Sequence, residues 1–289
     1  MVDASESLKL GLPKGRMQEG VFALMAEAGM PVRVPSRGYR PRVPIEGCET
    51  KILKPQNIVE MLAAGTRDLG FAGADWVAEL GADLVEIVDT RMDPVRLVAA
   101  APRSILVDGK LPNRRIVIAS EYDRLTRAWI ERAGLDAEFV RSYGATEVFP
   151  PEDADCIVDI TQSGATLEAN DLEIVEQIDL SSTRMYASRQ AMENPTKREK
   201  IESVGVLLDA VLEARRRVMV ELNVGESDLR AVVDCLPCMR EPTVAPLHGD
   251  AGYAVRAAVP KDKLAALVPV IKAKGGTDIV VSPLSQIVP

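Results

Sequence analysis

The sequence predicts an α/β fold in two lobes, followed by a smaller α+β domain. Residues 8–88 alternate short apolar segments with segments of helical periodicity, and a second alternation of the same kind begins near Arg96. From residue 217 onward the predicted strands and helices come in a different order. Alternating strands and helices favour a parallel sheet covered by helices, so each of the first two runs predicts one lobe.

The first lobe opens with an apolar strand at residues 8–12, a basic turn at residues 13–16 and a helix that ends at Gly29. Lys14 and Arg16 stand at the start of this helix, where the helix dipole disfavours cations. They are either two solvated cations or, as we favour, two groups that bind one anion together with the helix end. Further helices are predicted at residues 55–64 and 73–80, and further strands at residues 69–73 and 85–88.

A basic segment lies between residues 33 and 54, although the net charge of the chain is -8. Such a local excess of cations could gather a ligand with several phosphate groups. A solvated loop is the plain alternative. The cations of this segment are Arg33, Arg37, Arg40, Arg42, Lys51 and Lys54.

The second lobe is predicted to span residues 96–184, with strands at residues 96–101, 115–119, 137–140 and 156–158. A helix at residues 197–214 has apolar side chains close to the i, i+3, i+4, i+7 pattern and returns the chain to the first lobe. The first lobe therefore comprises residues 1–95 and 185–214.

The most informative stretch is residues 155–167. Asp159 stands at the end of a buried strand, and a small, hydroxyl-rich turn at residues 162–166 leads into a helix near Leu167. A strand, a small-residue loop and a helix N-terminus are how α/β proteins hold phosphate, because backbone N–H groups and the helix dipole point at the anion. Asp159 would then bind a ribose diol or a Mg²⁺ ion. An ordinary strand, turn and helix cap is the competing interpretation, since small loops after strands are common.

The last segment, residues 215–289, has the order β-α-β-β-α-β, which is the ferredoxin-like arrangement. Nothing in it suggests catalysis. Small domains of this kind commonly bind effectors or mediate assembly, but that expectation rests on analogy of fold alone.

Composition excludes several classes of function. An acidic chain is a poor candidate for general nucleic-acid binding, and no apolar run reaches the roughly 20 residues that span a bilayer. His248 is the single histidine, which argues against a catalytic triad or a histidine-rich zinc site. Cys235 and Cys238 have C-x-x-C spacing but lack a second ligand pair. Four cysteines and a short polar start at residues 1–7 predict a cytoplasmic protein.

Several motifs, in order along the chain, resemble the ATP phosphoribosyltransferase family in its long form. They are residues 12–16 (LPKGR), 68–73 (DLGFAG), 159–172 (DITQSGATLEANDL) and 240–247 (REPTVAPL). The resemblance implies a two-lobed core similar to periplasmic binding proteins and a C-terminal ACT-like regulatory domain. It also implies the first step of histidine biosynthesis, in which ATP and 5-phosphoribosyl 1-diphosphate give N1-(5-phosphoribosyl)-ATP and diphosphate.

The resemblance further implies roles for individual residues. The loop at residues 163–167 would cradle the sugar 5-phosphate, while Asp159 and Glu147 would hold the ribose hydroxyls. Basic groups and Mg²⁺ would stabilise the leaving diphosphate, although no metal ligand is assigned. The candidate catalytic residues are Arg16, Arg37 and Asp159. The candidate substrate-binding residues are Lys14, Gly15, Asp75, Arg96, Glu147, Asp155, Ser163, Gly164, Ala165, Thr166 and Leu167.

The resemblance also implies histidine as an inhibitory effector and a homo-oligomer, as a dimer or hexamer. Glu221, Thr243 and Leu247 are the effector-binding candidates. The chain departs from related motifs, because Val158 replaces the first of two acids before the loop of other phosphoribosyltransferases, and Ala145 removes a hydroxyl near the ligand. Two alternatives remain: a two-lobed binding or sensor protein without catalysis, and a catalytically inactive regulatory relative.

Overall fold

The structure is a computed structural model that describes residues 7–35 and 38–288, so Arg37 lies outside the described residues. The chain divides into two compact units. The first contains Met30–Gly205 and the chain before Glu27, and the second contains Glu27–Gly29 and the chain from Val206 onward. Within the described residues, no helix combines the length and the apolarity needed to cross a membrane.

The first unit is built on an eight-stranded mixed sheet with the order β2-β1-β3-β8-β4-β7-β5-β6. Its strands are β1 Leu8–Pro13, β2 Cys48–Leu53, β3 Leu69–Gly73, β4 Leu84–Pro102, β5 Ile116–Ser120, β6 Ala137–Arg141, β7 Cys156–Thr161 and β8 Leu172–Ser188. The helices that follow them are α1 Arg16–Glu27, α2 Pro55–Ala63, α3 Ala74–Leu80, α4 Asp123–Ala133, α5 Ala165–Ala169, α6 Arg189–Glu193 and α7 Pro195–Arg215, the last of which runs on into the second unit.

Three strands at each end of the sheet run parallel to one another, as predicted. We call β2, β1 and β3 with their helices the first half, and β7, β5 and β6 with theirs the second half. The strands between the halves are different, because β8 pairs antiparallel with β3 and β4, and β4 pairs antiparallel with β7.

The expectation of a parallel fourth strand at residues 85–88 is therefore wrong, as is that of a separate strand at residues 96–101. Both belong to the continuous 19-residue strand β4. The sequence likewise shows two separate apolar or β-rich segments at residues 172–178 and 183–187, and these form the single 17-residue strand β8. The polar residues that separate the two segments of β4 form a bulged stretch of the strand. Arg91 and Asp93 have positive φ angles of 56° and 47°, and the register of β4 against β8 shifts on both sides of Met92.

Both faces of the sheet are buried in the second half, and the alternation of side chains along each strand decides which face a residue joins. Leu97, Ala99 and Val158 pack with Trp129 of α4 on one face. Val98, Ala100 and Ile157 pack with Leu167 of α5 on the other. Leu167 therefore anchors the short helix that follows the candidate phosphate loop, and Asp159 comes immediately after the buried part of β7.

The second unit carries a separate four-stranded antiparallel sheet with the order β10-β11-β9-β12, which confirms the predicted ferredoxin-like arrangement. On β9, Val218, Val220, Leu222 and Val224 alternate with more exposed residues and form the core with the helices. Its elements are β9 Arg217–Val224, α8 Leu229–Val233, β10 Thr243–Pro246, β11 Tyr253–Pro260, α9 Leu264–Ala273 and β12 Thr277–Pro283.

The sequence predicts a helix at residues 227–235 with Ser227 as its N-cap. Helix α8 is shorter than this, and its N-cap is Asp228. The Ser227 hydroxyl instead donates a hydrogen bond to the Asp228 carboxylate at 3.3 Å. Pro237 follows closely and cannot continue a helix, so the helical pattern of the sequence ends early.

Candidate active site

The turn between β1 and α1 exposes two cations at the edge of the sheet. Lys14 donates its backbone N–H to the carbonyl of Leu53 at 2.8 Å, which ties the turn to β2. Gly15 has a φ of 85°, a conformation that side chains disfavour, and Arg16 begins α1 directly after it. The Lys14 and Arg16 side chains make no ion pair with any described residue. Both cations at this turn are therefore left without a carboxylate partner among the residues that the structure describes.

The loop between β7 and α5 is shaped by its own hydroxyl groups. Thr161 accepts a hydrogen bond from the backbone N–H of Gly164 at 2.9 Å, and Ser163 accepts one from the N–H of Ala165 at 3.3 Å. Gly164 has a φ of 91°, which only glycine adopts without strain. The N–H of Ala165, the first residue of α5, is already engaged by Ser163. An anion would therefore bind the N–H groups that follow it in the first turn, which have no acceptor inside the helix.

One cleft of about 380 Å³ brings the two turns together. Arg16 from the first half faces Glu147, Asp159 and the loop residues of the second half across it. The predicted residues that line it are Arg16, Glu147, Asp159, Ser163, Ala165, Thr166 and Leu167. Gly164 shapes the same loop. A cation therefore faces a phosphate-type loop and two carboxylates, which is the charge pattern that a sugar phosphate with a leaving diphosphate requires.

The carboxyl group of Asp159 in this cleft has a raised pKa. Burial raises its pKa to about 6, and the neighbouring carboxylates of Glu121 and Glu147 push in the same direction. The backbone N–H of Ile160 donates to Asp159 at 2.7 Å and lowers the pKa in part, as does the Thr146 hydroxyl. A bound cation or hydroxyl donor would favour the ionised form of Asp159.

A second, larger cavity of about 790 Å³ is lined in part by Lys14 of the β1–α1 turn. The Lys14 ammonium group lies 5.6 Å from the centre of the Tyr39 ring, a cation–π contact. None of its cations makes an ion pair with a residue in 7–35 or 38–288. Its basic lining residues are Lys14, Arg40, Arg42, Lys51 and Lys54. In the sequence only Gly15 separates Lys14, which lines this basic cavity, from Arg16, which lines the cleft.

Asp75 and Asp155 are not brought into the cleft. Asp75 is buried and accepts hydrogen bonds from the hydroxyls of Tyr122 and Ser181. Asp155 lies before β7, at the opposite end from the loop, where it pairs with Arg114 at 2.8 Å and accepts from the backbone N–H of Val117. Burial raises the pKa of Asp155, but these hydrogen bonds outweigh it and lower the pKa overall.

Arg96 and the effector candidates occupy other positions. Arg96 lies on β4 opposite Thr161, the last residue of β7, and does not line the cleft. In the second unit Glu221 pairs with Arg256 on the sheet, Thr243 is exposed on β10, and Leu247 is half-buried just after it.

Sequence reasoning missed three residues of this region. Ile160 and Thr161 line the cleft, and the charge of Glu121 raises the pKa of Asp159. Gln162 of the predicted turn also lines the cleft, although it is not among the predicted ligands. Glu121 follows β5, which runs parallel to β7 with Ser120 opposite Val158. Because the carboxyl ends of adjacent parallel strands meet at one sheet edge, this rule would have pointed to Glu121 had the pairing of β5 and β7 been predicted.

Comparison with known proteins identifies the family. The family profile described as HisG: ATP phosphoribosyltransferase matches residues 54–210, and the profile described as HisG, C-terminal domain matches residues 214–286. The chain is 36% identical over 284 residues to the ATP phosphoribosyltransferase of Chlorobaculum parvum, covering 96% of this chain and 97% of that relative. The chain belongs to the ATP phosphoribosyltransferase family.

Two further similarities agree with this assignment. The ATP phosphoribosyltransferase of Desulforudis audaxviator is 37% identical over 289 residues, covering 98% of this chain and 99% of the relative. A solved ATP phosphoribosyl transferase (HisG:HisZ) complex from Thermotoga maritima has a TM-score of 0.59 at 25% identity, covering 68% of this chain and 98% of that chain. Full-length similarity together with the C-terminal match identifies the long form of the family.

The reaction of the family is a pentosyl transfer, the first step of histidine biosynthesis. It joins ATP to the phosphoribosyl group of 5-phosphoribosyl 1-diphosphate and releases diphosphate. The alternative of a binding or sensor protein without catalysis finds no support in these comparisons.

The ATP phosphoribosyltransferase family uses a divalent metal ion. Among the described residues no group of three or more His, Cys, Asp or Glu side chains is placed to hold a metal. Glu147 and Asp159 nevertheless supply two carboxylates in one cleft. Mg²⁺ in phosphate chemistry typically takes one or two carboxylates and completes its shell with water and substrate phosphates, so these residues fit such an ion.

Proposed function

We propose that the cleft binds 5-phosphoribosyl 1-diphosphate and that the basic cavity receives polyphosphate. The observation that supports this is that Arg16, Asp159, Glu147 and the β7–α5 loop line one and the same cleft. The loop N–H groups would hold the 5-phosphate. Asp159 and Glu147 would accept hydrogen bonds from the ribose hydroxyls, which fixes the sugar ring between the two charged ends of the substrate.

The chemistry is a substitution at C1 of the sugar. The N1 atom of adenine forms a bond to C1 while the bond from C1 to the diphosphate oxygen breaks, and the bonding electron pair leaves with the diphosphate. Positive charge develops on the sugar ring and negative charge on the diphosphate. In this proposal the carboxylate of Asp159 stabilises the positive charge on the sugar ring. Arg16 and Lys14 stabilise the negative charge on the diphosphate. No strong general base is needed, since positioning and charge carry much of the acceleration.

We infer that the divalent ion is Mg²⁺, held by Glu147 or Asp159 and by the substrate. When bound, it neutralises part of the diphosphate charge. The cations of the basic cavity would then bind the triphosphate of ATP. Five cations that form no ion pair with any described residue line this cavity of about 790 Å³, and such a lining suits a polyanion. We place the protein in the cytoplasm, where both substrates are made.

The test of the proposed function mixes the protein with ATP, 5-phosphoribosyl 1-diphosphate and Mg²⁺. We expect a new near-ultraviolet absorbance from N1-substituted adenine and release of diphosphate in equal amounts. Chelation of the metal ion with EDTA should abolish both signals, and excess Mg²⁺ should restore them. Absence of product at high protein concentration would contradict the proposal.

We also propose histidine as the effector of the second unit and a homo-oligomer as the working state. The similar Thermotoga maritima protein was solved as a complex. L-Histidine is expected to slow the reaction, and D-histidine at the same concentration serves as the control. Replacing the exposed Thr243 with alanine should weaken inhibition and leave the uninhibited rate unchanged. A rate that does not respond to L-histidine would remove the regulatory role.

A further inference from the structure

The fully buried residues of helix α3 are two carboxylates, whereas its apolar Trp76 and Val77 are only partly buried. This helix has seven residues, and its buried residues are Asp75 and Glu79, which lie one turn apart on the same face. Burying a carboxylate costs several kcal/mol unless hydrogen bonds compensate for the lost water. The partners of the two carboxylates therefore indicate what this helix does.

Helix α3 follows β3 of the first half, but three of the four partner residues, Tyr122, Arg124 and Leu125, belong to the second half. The fourth, Ser181, lies on β8 between the halves. Asp75 accepts a hydrogen bond from the Tyr122 hydroxyl at 2.8 Å and one from the Ser181 hydroxyl of β8 at 2.5 Å. Glu79 accepts from the backbone N–H groups of Arg124 and Leu125 at 3.1 and 3.0 Å.

The contacts of Glu79 replace a missing helix cap. Tyr122 is the N-cap of α4, and its side chain makes no capping hydrogen bond. The orphan N–H groups of the first turn of α4 are instead satisfied by a carboxylate from another helix. A negative charge there also matches the positive end of the α4 dipole. The ring of Trp76, next to Asp75, packs 4.8 Å from the Tyr122 ring and closes the contact.

A chain of hydrogen bonds continues from Tyr122 to the cleft. The backbone N–H of Tyr122 donates to the Ser120 hydroxyl at 2.9 Å, and that hydroxyl donates to the carbonyl of Val158 at 2.5 Å. Val158 immediately precedes Asp159 on β7. The position of Asp159 is thus tied through three residues to a helix of the half that carries Arg16.

We infer that Asp75 and Glu79 are positioning residues that hold the loop half of the cleft at a fixed distance from Arg16. This inference rests on the proposed function and reassigns Asp75, predicted from sequence as a substrate ligand, to a role behind the site. Gly73 fits the same arrangement, since a Cβ atom at this position would overlap the Asp75 carboxylate. Neither carboxylate touches the substrate in this assignment.

The experiment compares a ligand held by one half with a ligand held by both. Ribose 5-phosphate should engage only the loop and Asp159, whereas 5-phosphoribosyl 1-diphosphate with Mg²⁺ also reaches Arg16. Binding of each is measured by calorimetry for wild type, Glu79→Gln and Tyr122→Phe. Glu138→Gln, an exposed change on β6, is the matched control.

We expect both variants to bind ribose 5-phosphate within about twofold of wild type and the diphosphate about tenfold more weakly, the loss typical of one hydrogen bond to a charged group. A role in stability alone would lower the melting temperature without changing this ratio. An unchanged ratio in Tyr122→Phe, which retains the ring packing against Trp76, would overturn the inference even if Glu79→Gln fails to fold. Wild-type protein that does not bind ribose 5-phosphate, or binds both ligands equally, would instead contradict the proposed function.

Discussion

Replacing Arg16 with alanine is expected to lower kcat/KM for 5-phosphoribosyl 1-diphosphate by about 10²- to 10³-fold, the usual cost of losing one preorganised group that stabilises transition-state charge. Arg16 is the basic residue that lines the cleft opposite the β7–α5 loop, and no described residue neutralises it. Steady-state kinetics with varied sugar substrate measures the loss. The fall should be mainly in kcat, because the charge on the diphosphate grows as its bond to C1 breaks.

Two variants control this experiment. Arg115→Ala removes an exposed arginine that pairs with Glu138 on the neighbouring strand, and it should keep kcat/KM within about twofold. Arg16→Lys retains the charge but loses the planar fork, so partial recovery is expected. Equal activity of Arg16→Ala and wild type would remove Arg16 from the reaction and, with it, the proposed arrangement of the cleft.

Replacing Asp159 with asparagine is expected to lower turnover about 10²-fold or more while making the folded protein more stable. The folded protein raises the pKa of Asp159 from 3.8 to about 6, mainly by burial and then by the charges of Glu121 and Glu147. Above pH 6 the ionised side chain therefore costs folding free energy, roughly 2–3 kcal/mol for a shift of this size. Asparagine removes the charge and, with it, that cost.

The pH dependence distinguishes this cause from others. Because the pKa of Asp159 is raised on folding, the cost is full above pH about 6 and disappears as the pH falls towards the unfolded value of 3.8. The stability gain of Asp159→Asn should be largest at pH 8 and vanish near pH 4, as measured by urea unfolding. A gain that does not depend on pH would contradict this account.

Asp155→Asn is the matched control, because Asp155 immediately precedes β7 at the end of the strand away from the loop. Hydrogen bonds to Arg114 and to the N–H of Val117 lower the pKa of Asp155, so its ionised form stabilises the fold. The variant should lose stability at neutral pH and retain turnover at a permissive temperature. A gain in stability for Asp159→Asn and a loss for Asp155→Asn would separate a residue selected for the reaction from one selected for the fold.

The sequence predicted the parts of this protein that depend on neighbouring residues. Apolar periodicity located β1, β7 and α7, because a buried face leaves a local pattern. The loop after Asp159 was found for the same reason, since strand, turn and helix start are contiguous. The pairing of β4 with β8 could not be predicted, because it joins segments separated by the whole second half.

The site was predictable to the same extent. Arg16, Glu147, Asp159 and the loop carry the family motifs and also line one cleft. Asp75 shows where this reasoning ends. It lies just after a family motif, yet its carboxylate is occupied by Tyr122 and Ser181, and only the three-dimensional contacts reveal that.

The long pair of β4 and β8 has a mechanical consequence for the enzyme. A cleft between bodies joined by short loops can swing open about a few backbone bonds. Here two strands of 19 and 17 residues run side by side from one half to the other, so any opening must be a twist spread along a ribbon. Opening of the cleft should therefore require twisting of this two-stranded ribbon. The twist should concentrate in the bulged stretch around Met92, where the regular ladder of hydrogen bonds is already interrupted.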